Sequence, residues 1–228
     1  MVRINIFVTK IDDGFIDNNF DILYENLYPA RKEAVKKLKI KKTAYVSLTA
    51  GLLLAKAYED IYDKAAKDII IEKAEHGKPY IKGKEEFKYN ISHSGDYVVL
   101  AYTTDEAITS IGIDIEKIKT RDDDMKIANR FFTGEEMDYI SEGLECSDVD
   151  TRFYKVWTMK EAFLKYTGMG LGQRLDSFSV NPDELSIVGQ SNISYDMKVI
   201  DKHIISVCVG CDDGVEYNYS QITLDKLC

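Results

Sequence analysis

The chain has no low-complexity tract, no evident internal repeat and no apolar run long enough to cross a bilayer. Those absences exclude a repeat array, a disordered linker protein and a transmembrane helix. It also has no surplus of basic charge. The 30 Lys and Arg residues stand against 39 Asp and Glu, for a net charge of −9. Nucleic acid is therefore not expected as the main partner, because neutralising phosphate drives that kind of binding. Cysteine is limited to four residues, and no secretion signal accompanies them, so a disulfide framework is excluded. Cys208 and Cys211 form a C-x-x-C, but it ends an apolar strand-like run rather than opening a helix, and no second pair completes a zinc site. Free buried thiols are expected instead. The stretch Met1 to Val8 lacks the longer apolar core and cleavage site of a signal peptide, so a cytoplasmic location is expected.

What is present is an ordinary globular composition. The 228 residues are 45% hydrophobic and 30% charged, enough for one large domain or two small ones with their own cores. Arg3 to Ile11 alternates as a strand, and Phe20 to Leu38 reads as helical material broken near Pro29. Thr43 to Tyr62 carries Leu48, Leu52, Ala55 and Tyr58 at helical spacing. Ile69 to Ile71 reads as a short strand, followed by turn residues at His76-Gly77-Lys78-Pro79. Tyr97 to Tyr102 and Ile111 to Glu116 read as closely spaced strands, for which antiparallel pairing is expected. Helices are expected over Met125 to Phe131, from near Glu135, and from about Asp150 to Tyr166, the last stopped by Gly168. Phe178 to Val180, Ser194 to Ile200 and His203 to Val209 read as strands. The order predicts an α+β protein of two halves, 1–109 and 110–228.

Three groups of residues carry chemistry. Asp114 and Glu116, two apart on a strand, point to one face about 7 Å apart, unless they are simply a solvated edge. Glu161 lies one helical turn from Trp157 and one turn from Lys165; with Asp114 and Glu116 it makes a three-carboxylate set suited to Mg²⁺. The alternative for Glu161 and Lys165 is an ordinary helix pair. Asn90-Ile91-Ser92-His93-Ser94-Gly95-Asp96 reads as a loop in which Ser92, Ser94 and the backbone near Gly95 offer donors to an anion, or in which His93 is a turn residue without a role. Seven basic residues from Arg31 to Lys42 are either a solvated face or a patch for an anionic ligand or acidic partner.

Taken in order, Asn90–Gly95, Gly112–Glu116, Arg130-Phe131-Phe132, Phe153–Lys165, Gly168-Met169-Gly170-Leu171 and Leu175–Val180 resemble the 4′-phosphopantetheinyl transferases of the long, surfactin-synthetase-activating type. The resemblance implies a pseudo-twofold monomer of two similar α+β subdomains with antiparallel sheets and coenzyme A in the cleft between them. It implies Mg²⁺ on Asp114, Glu116 and Glu161, His93 on the coenzyme's 3′-phosphate, and Lys165 by the pyrophosphate. Lys78 and either Arg31 or Lys32 would line the nucleotide site, to which Ser92 and Ser94 add donors. Val46 stands where many members carry an arginine, with Lys42 a candidate substitute. The implied activity moves 4′-phosphopantetheine to a serine of an apo acyl or peptidyl carrier protein and releases 3′,5′-ADP. Lys165 would stabilise the leaving phosphate and Glu161 would take the serine proton. The rival readings are a non-catalytic coenzyme A-binding module and a metal-dependent phosphohydrolase. Neither nucleic acid nor membrane is an expected partner.

Overall fold

The structure is a computed structural model of the chain and describes residues 1–120, 123–142, 145–211 and 214–228. Its two halves repeat one order of elements. The first runs β1 (Val2–Lys10), α1 (Asp13–Glu25), α2 (Pro29–Lys36), α3 (Lys41–Tyr62), a short hairpin β2 (Ile71–Lys73) and β3 (Pro79–Ile81), then β4 (Lys88–Ser94) and β5 (Tyr97–Thr103). The second runs β6 (Ile111–Lys117), α4 (Asp124–Phe131), α5 (Gly134–Ser141), α6 (Cys146–Thr167), a short hairpin β7 (Val180–Asn181) and β8 (Ser186–Ile187), then β9 (Ile193–Ile200) and β10 (His203–Gly210). In each half the last strand is central, giving β1-β5-β4 and β6-β10-β9, all antiparallel. A final strand, β11 (Val215–Gln221), crosses back and pairs parallel with β1, Val2 opposite Val215. Leu224 and Leu227 then join the first half's core. The chain from Val215 onward thus packs with the first half.

Strand alternation builds four layers. Val98, Leu100 and Tyr102 of β5 meet Leu48 and Leu52 of α3, whereas Tyr97, Val99 and Ala101 face the other sheet. Ile204 and Cys208 of β10 meet Val156 and Met159 of α6, whereas Ile205, Val207 and Val209 face inward. Helices therefore cover the outside, and two sheets share an apolar seam. Each fully buried aliphatic side chain in that seam contributes about 1.5–3 kcal/mol by leaving water. Among the described residues, no helix is long and apolar enough to cross a membrane.

Several expectations from the sequence need correction. Asn90 to Ser94 is not a loop but most of β4, paired through its backbone with β5; only Gly95 and Asp96 turn. Strands β5 and β6 are not ladder neighbours, since β6 pairs with β10 in the other sheet. The first helix begins at Asp13, where Asp12 caps it by accepting from the Phe15 amide, well before Phe20. Ile69 is buried ahead of β2, after a 3₁₀ turn at Ala66–Asp68. Of the three cysteines whose side chains the structure describes, Cys208 is a buried free thiol, Cys211 is half-buried and Cys228 is exposed. The stretch from Thr133 to Asp150 reads from the sequence as a surface loop or an apolar contact for a partner; its residues 143 and 144 lie outside the described residues. The rest is α5, which carries a Thr133–Glu136 capping box, and the first turn of α6. Position 171, in the glycine motif after α6, falls in a 3₁₀ turn at Gly170–Gly172.

Candidate active site

The site starts with the contact between β6 and α6. Ile111, Ile113 and Ile115 fill the seam between the sheets, so alternation turns Gly112, Asp114 and Glu116 toward α6. At Gly112 strand and helix touch directly: a Cβ there would lie 1.8 Å from the Ala162 carbonyl oxygen. That close approach holds the next two side chains of β6 against Glu161 and Lys165. Helix α6 ends at Gly168, whose φ of 71° gives the left-handed cap.

Asp114 is 5% exposed. Its Oδ1 accepts from Lys165 Nζ at 2.6 Å and from Ser92 Oγ at 2.9 Å. Lys165 Nζ also reaches Ser92 Oγ at 2.9 Å and the Ile113 carbonyl at 3.1 Å. Glu116 accepts from Ser94 Oγ at 2.8 Å. Burial raises the Glu161 pKa, the Asp114 and Glu116 charges add to the rise, and Lys165 opposes it. Three carboxylates and one ammonium therefore feel one another across β6 and α6.

That set fits a hard cation on two observations. Asp114 Oδ2 is buried without a hydrogen-bond partner, a costly state for a carboxylate oxygen. The field at Glu161 is already unfavourable for a further negative charge. Both are relieved by a divalent ion with oxygen preference. Among the described residues no three His, Cys, Asp or Glu side chains stand as a ready-made ligand cluster, and Lys165 is the positive charge that meets Asp114.

Beside this set opens a cleft of about 760 Å³, lined by Lys78, Asn90, Arg130, Glu161, Lys165 and Arg174 among others. His93 lies on the opposite face of β4 from Ser92 and Ser94. Its edge meets solvent, yet surrounding protein, then the Lys165 charge, push its imidazole below the usual range, with Asp114 opposing. Lys78 is held by oxygens: its Nζ donates to Ser110 Oγ at 2.5 Å, the Ile111 carbonyl at 2.7 Å and the Lys165 carbonyl at 2.7 Å. It therefore ties the β2–β3 hairpin to the start of β6 and the end of α6. Burial lowers its pKa to about 8.

The basic segment is dispersed. Arg31 packs over Gly51 and reaches the Tyr28 hydroxyl and Ser47. Lys32 lines a different groove, between α2, α3 and the C-terminus, and pairs with Glu25 at 2.5 Å. Lys42 is paired with Asp13 and Asp96, and Val46 packs on the first core. Sequence reasoning gave no role to Arg130, Arg174 or Asn90. Arg130 stood in a quoted motif, but an exposed arginine in the last turn of a helix has no sequence signal of its own.

Two features thus define the molecule: an α/β/β/α pair of repeated halves, and a cleft with carboxylates and cations at their junction. Comparison with known proteins agrees. The profile of the 4′-phosphopantetheinyl transferase superfamily matches residues 110–208, and that of the 4′-phosphopantetheinyl transferase N-terminal region matches residues 16–105. The chain is 36% identical over 155 residues to 4′-phosphopantetheinyl transferase psf-1 of Bacillus pumilus, covering 68% of this chain and 63% of that protein. It is 33% identical over 180 residues to 4′-phosphopantetheinyl transferase ffp of Bacillus subtilis, covering 78% and 77%. Over 231 residues it is 26% identical to 4′-phosphopantetheinyl transferase gsp of Aneurinibacillus migulanus, covering 99% and 94%. The chain belongs to the 4′-phosphopantetheinyl transferase family.

Proposed function

We propose that the protein transfers the 4′-phosphopantetheine group of coenzyme A to a serine of an apo acyl or peptidyl carrier protein and releases 3′,5′-ADP. The observation that carries this reading is that Glu161 and Lys165 line one cleft wall with the buried Asp114 carboxylate against them. Asp114, Glu116 and Glu161 would hold Mg²⁺, which when bound offsets the charge of the diphosphate.

The chain's own groups supply the rest. The serine oxygen forms a bond to the β-phosphorus, and the bond from that phosphorus to the bridging oxygen breaks. In this reading the Lys165 ammonium stabilises the leaving phosphate. Glu161, in the cleft lining beside Lys165, receives the serine proton as the general base. His93 takes the 3′-phosphate, and Arg31, with Arg130 and Arg174 at the cleft, adds positive charge for the nucleotide. Lys78 acts there by fixing the cleft wall. Residues 1–109 bring His93, Arg31 and Lys78 to the nucleotide end, and 110–228 bring the metal and proton-transfer residues together with Arg130 and Arg174. In the same reading the protein is a cytoplasmic monomer, and its charge of −9 disfavours nucleic acid.

The test is incubation with coenzyme A, Mg²⁺ and an apo carrier protein, read by mass spectrometry. The expected result is a carrier heavier by one phosphopantetheine. Release of free phosphopantetheine from an unmodified carrier would mark a phosphohydrolase, and no change in either would leave a binding module.

A further inference from the structure

Among the described residues, strand β6 has backbone ladder partners on one side only, from β10. On its other side stands β4, running in the same direction but joined through side chains. Asn90 Oδ1 accepts from the Ile113 amide at 2.9 Å, Ser92 Oγ from Ile115 at 3.4 Å, and Ser94 Oγ from Lys117 at 3.1 Å. The same serines donate one residue earlier, Ser92 to Asp114 Oδ1 and Ser94 to Glu116 Oε2. The three rungs differ in an informative way. Where β6 carries Gly112, β4 carries Asn90, which accepts from the strand. Where β6 carries a carboxylate, β4 carries a serine, which both accepts and donates.

A hydroxyl has one proton to give and two lone pairs. Ser92 uses all three: it donates to Asp114 and accepts from Ile115 and Lys165. Ser94 gives its proton to Glu116. Neither hydroxyl retains a proton for a phosphate oxygen. The geometry points to Ser92 and Ser94 as positioning residues that hold the Asp114 and Glu116 carboxylates and so set the site's affinity for a divalent cation, rather than as contacts to the coenzyme. This rests on the reading that those carboxylates hold a cation.

The test measures Mn²⁺ binding to the full chain by electron paramagnetic resonance, without coenzyme A. Ser92→Ala and Ser94→Ala are each expected to weaken Mn²⁺ about tenfold, the usual effect of removing a partner of a metal ligand. Ser94→Thr, which keeps donor and acceptor, is expected to stay within about twofold of the parent. In a Glu116→Gln background, Ser94→Ala is expected to add little further loss, as coupled partners do. Coenzyme A affinity in chelator is expected to be unmoved by either alanine. If alanine at 94 prevents folding, Ser94→Cys fills the same space with a weak donor and is expected to weaken Mn²⁺ as well. Parental Mn²⁺ affinity in the folded alanine and cysteine variants overturns the inference, as does additivity with Glu116→Gln. A loss confined to coenzyme A affinity overturns it in favour of direct contact. A parent that transfers phosphopantetheine yet binds no Mn²⁺ overturns the cation reading itself.

Discussion

The two halves of the molecule share an order of elements and differ in what their 22-residue helices bring to the sheet. Helix α3 buries Tyr45, Leu48, Leu52 and Leu53 against β5. Helix α6 buries Phe153, Val156 and Met159 but also carries Thr158, Lys160, Glu161 and Lys165. The first strands differ likewise: β1 places Phe7 in the core under its helix, whereas β6 offers Gly112, Asp114 and Glu116. One architecture thus serves once as scaffold and once as machinery, and the scaffold's gift to the site is the edge of β4. Sites accept locally unfavourable groups that the surrounding fold must support.

The strongest way to break this contrast is at Asp114. Asp114→Asn keeps the shape and removes the charge. Transfer at ordinary Mg²⁺ is expected to fall by about a hundredfold to a thousandfold, with the melting temperature within a few degrees of the parent. A steady-state assay with an apo carrier beside a thermal scan reads both; near-normal turnover refutes the role. No comparable loss is expected from Leu52→Met on α3, a volume-conserving change in the scaffold half that alters stability only slightly.

A second test separates two lysines of α6. Lys160 is fully buried with Glu136, at 2.7 Å, and donates to the Leu175 and Phe178 carbonyls. Glu136 in turn accepts from the Thr133 and Val180 amides. This network ties α5, α6 and the segment before β7 into one unit. Lys160→Met strands a buried carboxylate and is expected to cost about 3–5 kcal/mol, seen in denaturant unfolding. Adding Glu136→Leu removes the stranded charge and should recover part of that loss. Lys165→Met takes the cation away from the buried Asp114 carboxylate and is expected to cost stability as well; what separates the two is turnover of the folded protein, which Lys165→Met should lower far more.

Gly112→Ala probes the contact that sets the whole site. The added Cβ meets backbone of α6, not a flexible side chain, so strand and helix must part. Overpacking of this kind costs about 1–3 kcal/mol, and the accompanying shift of Glu161 should lower turnover as well. A variant with parental melting temperature and turnover would show that the approach is not needed.

How much of this was legible beforehand depends on where the partners lie. Helix α6 and strand β6 announce themselves: an apolar stripe with a glycine stop, and an alternation of isoleucine with polar residues. Strand β4 does not. Asn90, Ser92 and Ser94 are turn formers by habit, and nothing in their order reveals that they face the edge of another strand. Strand β11 is hidden for a similar reason, since its partner β1 lies at the far end of the chain. Lys78 is the clearest case. Its acceptors include the carbonyls of Ile111 and Lys165, and a main-chain oxygen looks the same at every position of a sequence. The Lys32–Glu25 pair likewise depends on the turn between α1 and α2.

The smallest expected effect is a slope, and it concerns the seam between the halves. Lys78 reaches from the first half to the backbone of the second, and burial lowers its pKa to about 8 from an ordinary 10.5. Between those values the unfolded chain holds a proton that the folded protein has released. Stability from this group therefore rises with pH across the window, and is lost as pH falls through about 8. Buried tyrosines oppose it, since Tyr102, raised to about 12, favours the folded state less once the unfolded phenol ionises. The difference between parent and Lys78→Met isolates the lysine: denaturant unfolding from pH 7.5 to 10.5 should show the parent gaining on the variant as pH rises. A constant difference would mean that the carbonyl oxygens hold Lys78 charged throughout, and that the two halves are tied by a permanent cation.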